Sequence, residues 1–289
     1  FVADKLDLKR DITFNTRIVS ATYNPTRNRW SVKTEHGQSV EVHYLITAVG
    51  VLSASYIPEI PGADSFEGRS WHTSHWPKEP VDLSDQRVGV IGTGATAVQL
   101  ITEISKNIGQ LSVFQRTANY CVPLDNRPVT PGEQADMKAR YQEIFARCRE
   151  TFGAFIHDFD TRSVFDVSDE ERETIFETLW SEPGFVFWLG NFFDIMTDEK
   201  ANEKIAEFVR RKIRERVTDP VVAERLTPRN HCFGTKRVPL ESGYYEAYNR
   251  ENVELVDLHV DDLLLPTEHA LELEHRHTKC PWVKLLDPV

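Results

Sequence analysis

Residues 87–104, "RVGVIGTGATAVQLITEI", constrain the fold of this chain more than any other stretch. A short apolar strand pattern at 88–91 runs into Gly92-Thr93-Gly94-Ala95-Thr96-Ala97, and Val98, Ile101 and Ile104 then recur on one helix face. Gly92 permits a tight turn, Gly94 lets the backbone approach a pyrophosphate, and a small residue at 97 packs helix on strand. The helix N-terminus supplies free N–H groups and a dipole that favour an anion. This order predicts a dinucleotide site in an α/β fold. The competing reading is a tight β–α turn with no ligand.

The next strand pattern, "QLSVFQR", ends at Gln115 and Arg116, with Thr117 following. A site for NAD would carry Asp or Glu there to accept the ribose 2′-hydroxyl. A guanidinium instead gains roughly 4 kcal/mol from a charge 4 Å away at an effective dielectric of 20, before desolvation. It also donates bidentate hydrogen bonds to phosphate. NADP is therefore favoured, against the reading that Arg116 is a surface residue at a strand end.

The 289 residues, 40% of them hydrophobic, suffice for one large or two ordinary domains. A formal charge of −11 opposes binding to nucleic acid or to an anionic membrane. The basic run "RRKIRER" at 210–216, with Ile213 on its apolar side, reads as the solvated face of a helix. No apolar run approaches the roughly 18 residues of a membrane span, and no secretory signal opens the chain. Cys121, Cys148, Cys232 and Cys280 have no C-x-x-C spacing and no compact grouping with histidine, so neither disulfides nor a metal site is expected. A cytoplasmic protein follows. The start at Phe1 without methionine reads as the loss of an upstream segment.

Before the glycine turn, "ITFNTRIVSATY", "RWSVKT" and "QSVEVHYLITAVG" alternate with a period of two, separated by the turns "NPTRN" and "EHG". This predicts a β-meander whose last strand, "YLITAV" ending at Gly50, enters a larger sheet. Pro58, Pro61, Pro77 and Pro80 mark a linker. From about 126 to 229 the pattern is helical. Pro131 opens one helix through residue 150, Ser168 and Glu171 form a capping box, Thr197 precedes a long helix, and Asp219-Pro220 starts another. The aromatics of "EPGFVFWLGNFF" read as core rather than as substrate contacts. Beyond the helices, Lys236 and Arg237 lie on a glycine-containing loop before the strand "NVELV". They are either solvated surface cations or phosphate ligands. The closing stretch "LELEHRHTKCPWVKLLDPV", 271–289, reads as neither strand nor helix.

The segment "FEGRSWHTSHWP", with two histidines and two tryptophans in no helical or strand period, matches the fingerprint F-x-G-x-x-x-H-x-x-x-W-P at Phe66, Gly68, His72, Trp76 and Pro77. That fingerprint belongs to the Baeyer–Villiger monooxygenases, class B flavin-dependent enzymes of the cycloketone and phenylacetone type. "FVADKLDLKRDI", "RVGVIGTG", "FQRT", "FGTKR" and "YYEAYNREN" resemble segments of the same family in the same order, over roughly residues 1–260. The resemblance implies a Rossmann-like NADP-binding domain with a helical insertion, preceded by a β-meander remnant of an FAD-binding domain. The implied boundaries are 1–52 for the FAD-domain part, 53–86 for the fingerprint linker, 87–257 for the NADP domain with its insertion at about 126–229, and 258–289 for the tail.

Implied site residues are Gly92, Thr93, Gly94, Ala95, Thr96, Ala97 and Gln99 for the cofactor, with Arg116, Thr117 and Lys236 on the NADP 2′-phosphate. Arg237 matches the family's catalytic arginine, and the fingerprint residues couple domain movement to catalysis. The implied cofactors are FAD and NADP(H). The implied reaction inserts one oxygen of O2 beside a ketone carbonyl to give an ester or lactone. The family's N-terminal FAD glycine motif, its acidic partner for the catalytic arginine and its closing Ala-Thr-Gly strand do not occur, so the chain resembles a central fragment. An N- or S-oxygenating flavin monooxygenase, whose fingerprint usually lacks Trp-Pro, and a catalytically incomplete NADP-binding fragment are the alternatives. Ketone identity and oligomeric state have no sequence signal.

Overall fold

Left-handed turn residues shape the first part of the chain. The computed structural model describes residues 1–50, 52, 54–60, 63–258 and 282–286. It divides into two units, Phe1–Ala54 and Ser55–Val289. In the first, a single turn α1 (Val2–Lys5) precedes β1 (Ile18–Asn24), β2 (Arg29–Thr34) and β3 (Ser39–Val42), paired antiparallel in that order. Asn28 at φ +49° and Gly37 at φ +81° turn the chain between them, conformations that Asn and Gly adopt most readily. The expected meander is present. The continuation "YLITAV" is not a strand: residues 44–49 are irregular, with Tyr44 and Ile46 exposed. Apolar composition makes a strand only where a neighbour accepts its hydrogen bonds, and among the described residues of this unit the sheet stops at β3.

The second unit is built on a parallel sheet of β4 (Arg69–His72), β5 (Arg87–Ile91), β6 (Gln110–Gln115), β9 (Val253–Asp257) and β10 (Trp282–Leu286), in the order β4-β10-β5-β6-β9. A minor pair, β7 (Val122–Pro123) with β8 (Leu240–Glu241), is also parallel. Val88, Val90, Leu111 and Val113 are fully buried, the near-continuous apolar pattern of strands covered on both faces. Helix α2 (Ala95–Ile104) buries Ala97, Val98 and Ile101 in the same core.

Two segments depart from their sequence reading. The fingerprint contributes β4, and the tail contributes β10, which pairs with β4 on one side and β5 on the other. Both strands are four or five residues long. Their pairing comes from partners distant in sequence, which local periodicity does not reveal.

The insertion between β6 and β9 holds α3 (Pro131–Ala139), α4 (Tyr141–Glu150), α5 (Asp169–Ser181), α6 (Val186–Leu189), α7 (Glu199–Arg216) and α8 (Pro220–Arg225). The short α9 (Tyr244–Ala247) follows β8. The helix expected over 131–150 breaks at Arg140. Its start is a capping box, with Glu133 N–H on the Thr130 hydroxyl and the Glu133 carboxylate returning to Thr130 N–H. At α5 the Ser168 hydroxyl accepts from Glu171 N–H while the Glu171 carboxylate pairs with Arg162. Asp198, rather than Thr197, caps α7, accepting from Lys200 and Ala201 N–H at 2.9 Å each. The cap at Asp219 forms as expected. Phe176, Phe187, Phe192 and Phe208 form a buried aromatic cluster, so the core reading holds for Phe187 and Phe192.

Arg216, at the end of α7, ties this insertion to the strand side. Its guanidinium donates to both carboxylate oxygens of Glu241, at 2.7 and 3.1 Å, and to both of Glu246, at 2.6 and 2.7 Å. Burial opposes its charge, but the bonds to Glu246 and Glu241 outweigh that and raise its pKa. The Glu241 side chain is 1% exposed and also accepts from Gly243 and Tyr244 N–H. Arg216→Ala therefore leaves a buried carboxylate without its cation and should lower unfolding stability by about 3–5 kcal/mol in urea. The double variant Arg216→Met, Glu241→Gln should recover much of the loss, because the amide oxygen still accepts the two N–H bonds.

Candidate nucleotide site

Because β4, β5, β6 and β9 run parallel, their last residues share one edge of the sheet. The register makes this concrete. Leu286 faces both His72 and Ile91, Ile91 faces Phe114, and Gln115 faces Asp257. The fingerprint histidine thus stands level with the end of β5, two strand spacings or roughly 9–10 Å away. Open α/β sheets bind ligands at this carboxyl edge.

The glycine turn has the conformation its sequence requires. Gly92 sits at φ +108°, where a side chain is strained, and its N–H donates to Phe114 O at 3.0 Å. Gly94 is the N-cap of α2 in an extended conformation, and its carbonyl accepts the first helical bond from Val98 N–H at 2.9 Å. Ala97 is fully buried, whereas Thr96 and Gln99 are exposed. Thr93 Oγ1 donates to Thr117 O at 2.7 Å, joining the turn to the loop that follows β6.

That loop borders a cavity of about 600 Å³ at the ends of β6 and β9. Gln115 is buried and its Nε2 donates to Arg225 O at 2.7 Å. Arg116 is exposed at the rim, and Thr117, Arg225, Arg229 and Asp257 share the lining. Glu224, also in the lining, has its carboxylate held by Arg214 at 2.6 Å and Arg229 at 2.5 Å. Hydrogen bonds from these two arginines push its pKa below the ordinary range. Since Arg214 lies outside the lining, part of the local negative charge is already compensated. An adenosine carrying a 2′-phosphate fits Arg116, Arg225 and Arg229, with no carboxylate on β6 itself; the carboxylates of the lining are Glu224, held by its arginines, and Asp257, which ends β9 opposite Gln115.

Arg225, Arg229 and Asp257 were not legible as site residues. Arg225 and Arg229 arrive when the insertion folds back over β6, Asp257 by the pairing of β9 with β6, and no short spacing announces either. Lys236 and Arg237 are exposed and are not part of the cavity lining. They follow a turn in which Thr235 N–H donates to Cys232 O at 3.3 Å and Gly234 adopts φ +81°. Burial, then the charges of Lys236 and Arg210, lower the pKa of the nearby His231, whose ring meets Tyr120 edge-on.

In the fingerprint, Phe66, Gly68 and Pro77 are half-buried, and Trp76 packs against Trp71 with ring centroids 5.8 Å apart. His72 is 5% exposed. Its Nδ1 accepts from Ser74 N–H at 3.2 Å and faces Ser74 Oγ at 2.6 Å, which leaves Nε2 as the donor. Among the described residues, that buried Nε2 has no partner.

The sheet order and glycine turn define a Rossmann-like α/β unit. The model of the FMO-like, flavin-binding monooxygenase-like family matches residues 1–150, just over half of the chain, and the chain belongs to that family. It is 42% identical over 274 residues to a Baeyer–Villiger monooxygenase of Pseudooceanicola batsensis, covering 94% of this chain and 50% of the relative. It is 41% identical over 258 residues to the phenazine N-monooxygenase PhzNO1 of Lysobacter antibioticus, covering 89% and 47%. A crystal structure of OTEMO in complex with FAD and NADP superposes with a TM-score of 0.89 at 40% identity, over 99% of this chain and 55% of that one. The chain spans about half the length of the curated relatives it matches.

Thr93→Val tests the link between the glycine turn and the loop bearing Arg116. It removes one half-buried hydrogen bond and should cost about 1 kcal/mol of unfolding free energy, read by urea denaturation.

Proposed function

We propose that this chain carries the NADP-binding part of an FAD- and NADPH-dependent Baeyer–Villiger monooxygenase. The observation that carries the reading is the edge arrangement. A glycine turn, a strand followed at once by an arginine beside a cavity, and the buried fingerprint histidine stand at the carboxyl ends of one parallel sheet. On this reading residues 1–52 belong to the FAD domain, 53–86 link, and 87–257 form the NADP domain with its insertion at about 126–229. A ketone and O2 are the proposed substrates. No helix among the described residues is long and apolar enough to cross a membrane, and a cytoplasmic location remains part of the proposal.

Gly92, Thr93 and Gly94 would receive the pyrophosphate, with the first N–H groups of α2 as donors and Ala95, Thr96, Ala97 and Gln99 continuing the surface. Arg116, Thr117 and Lys236 would hold the 2′-phosphate. When bound, NADPH supplies hydride and reduced FAD supplies activated oxygen. No residue of this chain is assigned to the flavin. Arg237 would present a permanent cation to the negative charge that develops as the ketone is attacked. Arginine suits this because it keeps its proton where a lysine can lose it.

A second reading rests on the 41% identity to a phenazine N-monooxygenase. It keeps the nucleotide site and replaces the ketone by an aromatic nitrogen. Assay of a full-length counterpart with a cyclic ketone and with a phenazine separates the two.

For the nucleotide, calorimetry of this chain should show NADP⁺ bound more tightly than NAD⁺. Arg116→Ala should weaken NADP⁺ by about tenfold or more while sparing NAD⁺, as loss of a charged phosphate contact requires. Equal losses for both nucleotides would remove the assignment. In the full-length counterpart, Arg237→Ala should still accept hydride but form product at least about a hundredfold more slowly. Unchanged product formation would reassign Arg237 to nucleotide binding.

A further inference from the structure

Resting on the assignment of Lys236 and Arg237 above, we infer that Asn202 is their positioning residue, acting from the insertion through the backbone of Phe233. Asn202 lies in the first turn of α7 and is 7% exposed. Its Oδ1 accepts from Phe233 N–H at 2.9 Å, and its Nδ2 donates to Phe233 O at 2.8 Å and to Ile195 O at 2.7 Å. Both backbone groups of Phe233 and both amide hydrogens of Asn202 are thereby used. A carboxamide alone among side chains of this size presents donor and acceptor side by side, and burying one is favourable only when it is satisfied in this way.

The Phe233 ring is fixed as well, meeting Tyr120 and Phe187 edge-on at 5.5 and 6.0 Å. Gly234 then takes φ +81°, and a Cβ there would lie 3.1 Å from Trp188 Nε1, so the turn also rests on α6. Downstream, Val238 is buried and Pro239 O accepts from Val122 N–H at 3.0 Å. Thr235, Lys236 and Arg237 are therefore a short exposed span between two anchors. Three residues reach at most about 11 Å, which confines the cations to one stretch of surface. The bond from Thr235 N–H to Cys232 O closes the turn, but neither it nor the packing of the aromatic ring fixes the peptide planes at Phe233 against α7. The amide clamp sets them, and with them the direction in which the loop leaves. Cations ordered before the ligand arrives avoid paying that ordering at binding.

The test compares Asn202→Ala with Asn202→Asp, which keeps the volume and loses the amide donor pair. Hydrogen–deuterium exchange on this chain should show the amides of Phe233 and Thr235, which donate to Asn202 Oδ1 and Cys232 O, exchanging about tenfold faster or more in Asn202→Ala, the scale of one lost hydrogen bond, while β5 and β6 are unchanged. NADP⁺ affinity should fall to the level of Lys236→Ala with NAD⁺ affinity retained, and the double variant Asn202→Ala, Lys236→Ala should bind no more weakly than Lys236→Ala alone. Unchanged exchange at Phe233 and Thr235, a uniform rise across the chain, or fully additive losses would overturn the inference. Should the parent chain show no preference for NADP⁺ over NAD⁺, the nucleotide reading fails, and the exchange pattern still decides whether Asn202 sets this loop.

Discussion

The second unit depends on one backbone reversal. At Gly92 a strand buried on both faces must become a helix within three residues, and φ +108° makes this possible. The hydrogen bond from Gly92 N–H to Phe114 O sets the reversal at the end of the neighbouring strand. Its consequences are positional. The N-terminus of α2, the Thr93 bond to Thr117 and the exposed Arg116 all occupy the carboxyl edge because the sheet is parallel and its register is continuous. A residue with a Cβ at 92 would strain this arrangement where strand, helix and loop meet.

The layout also explains the composition of the fingerprint. Histidine and tryptophan are poor choices for a packed core, because imidazole and indole N–H groups need partners when desolvated. At the end of β4 they meet a strand on one side and turn residues on the other. Ser74 satisfies Nδ1 of His72, and the remaining donor is buried at the edge on which the glycine turn opens. Trp71 and Trp76 supply the apolar surface of that corner through each other.

Much of this was legible because local sequence and final structure agree. The glycine turn, the helix caps at Ser168 and Asp219 and the position of Arg116 just after β6 each carry their signal within a few residues. What was not legible is non-local. Strands β4 and β10 owe their existence to pairing partners far along the chain. The apolar run 44–49 has the composition of a strand and lacks neighbours among the described residues. Arg225 and Arg229 reach the cavity only through the return of the insertion and Asp257 through the pairing of β9 with β6, and Asn202 looks like an ordinary helix position until its amide is seen gripping Phe233.

The pairing of β6 with β9 joins Ser112 to Glu254 across the whole insertion. Closing a loop costs entropy that grows only with the logarithm of its length, about 0.6 kcal/mol for each doubling. Closure entropy by itself therefore sets little limit on how many residues lie between these strands, and what fixes the insertion is the core its helices share with the sheet. Kinetics is less tolerant, since contacts of such sequence separation form slowly.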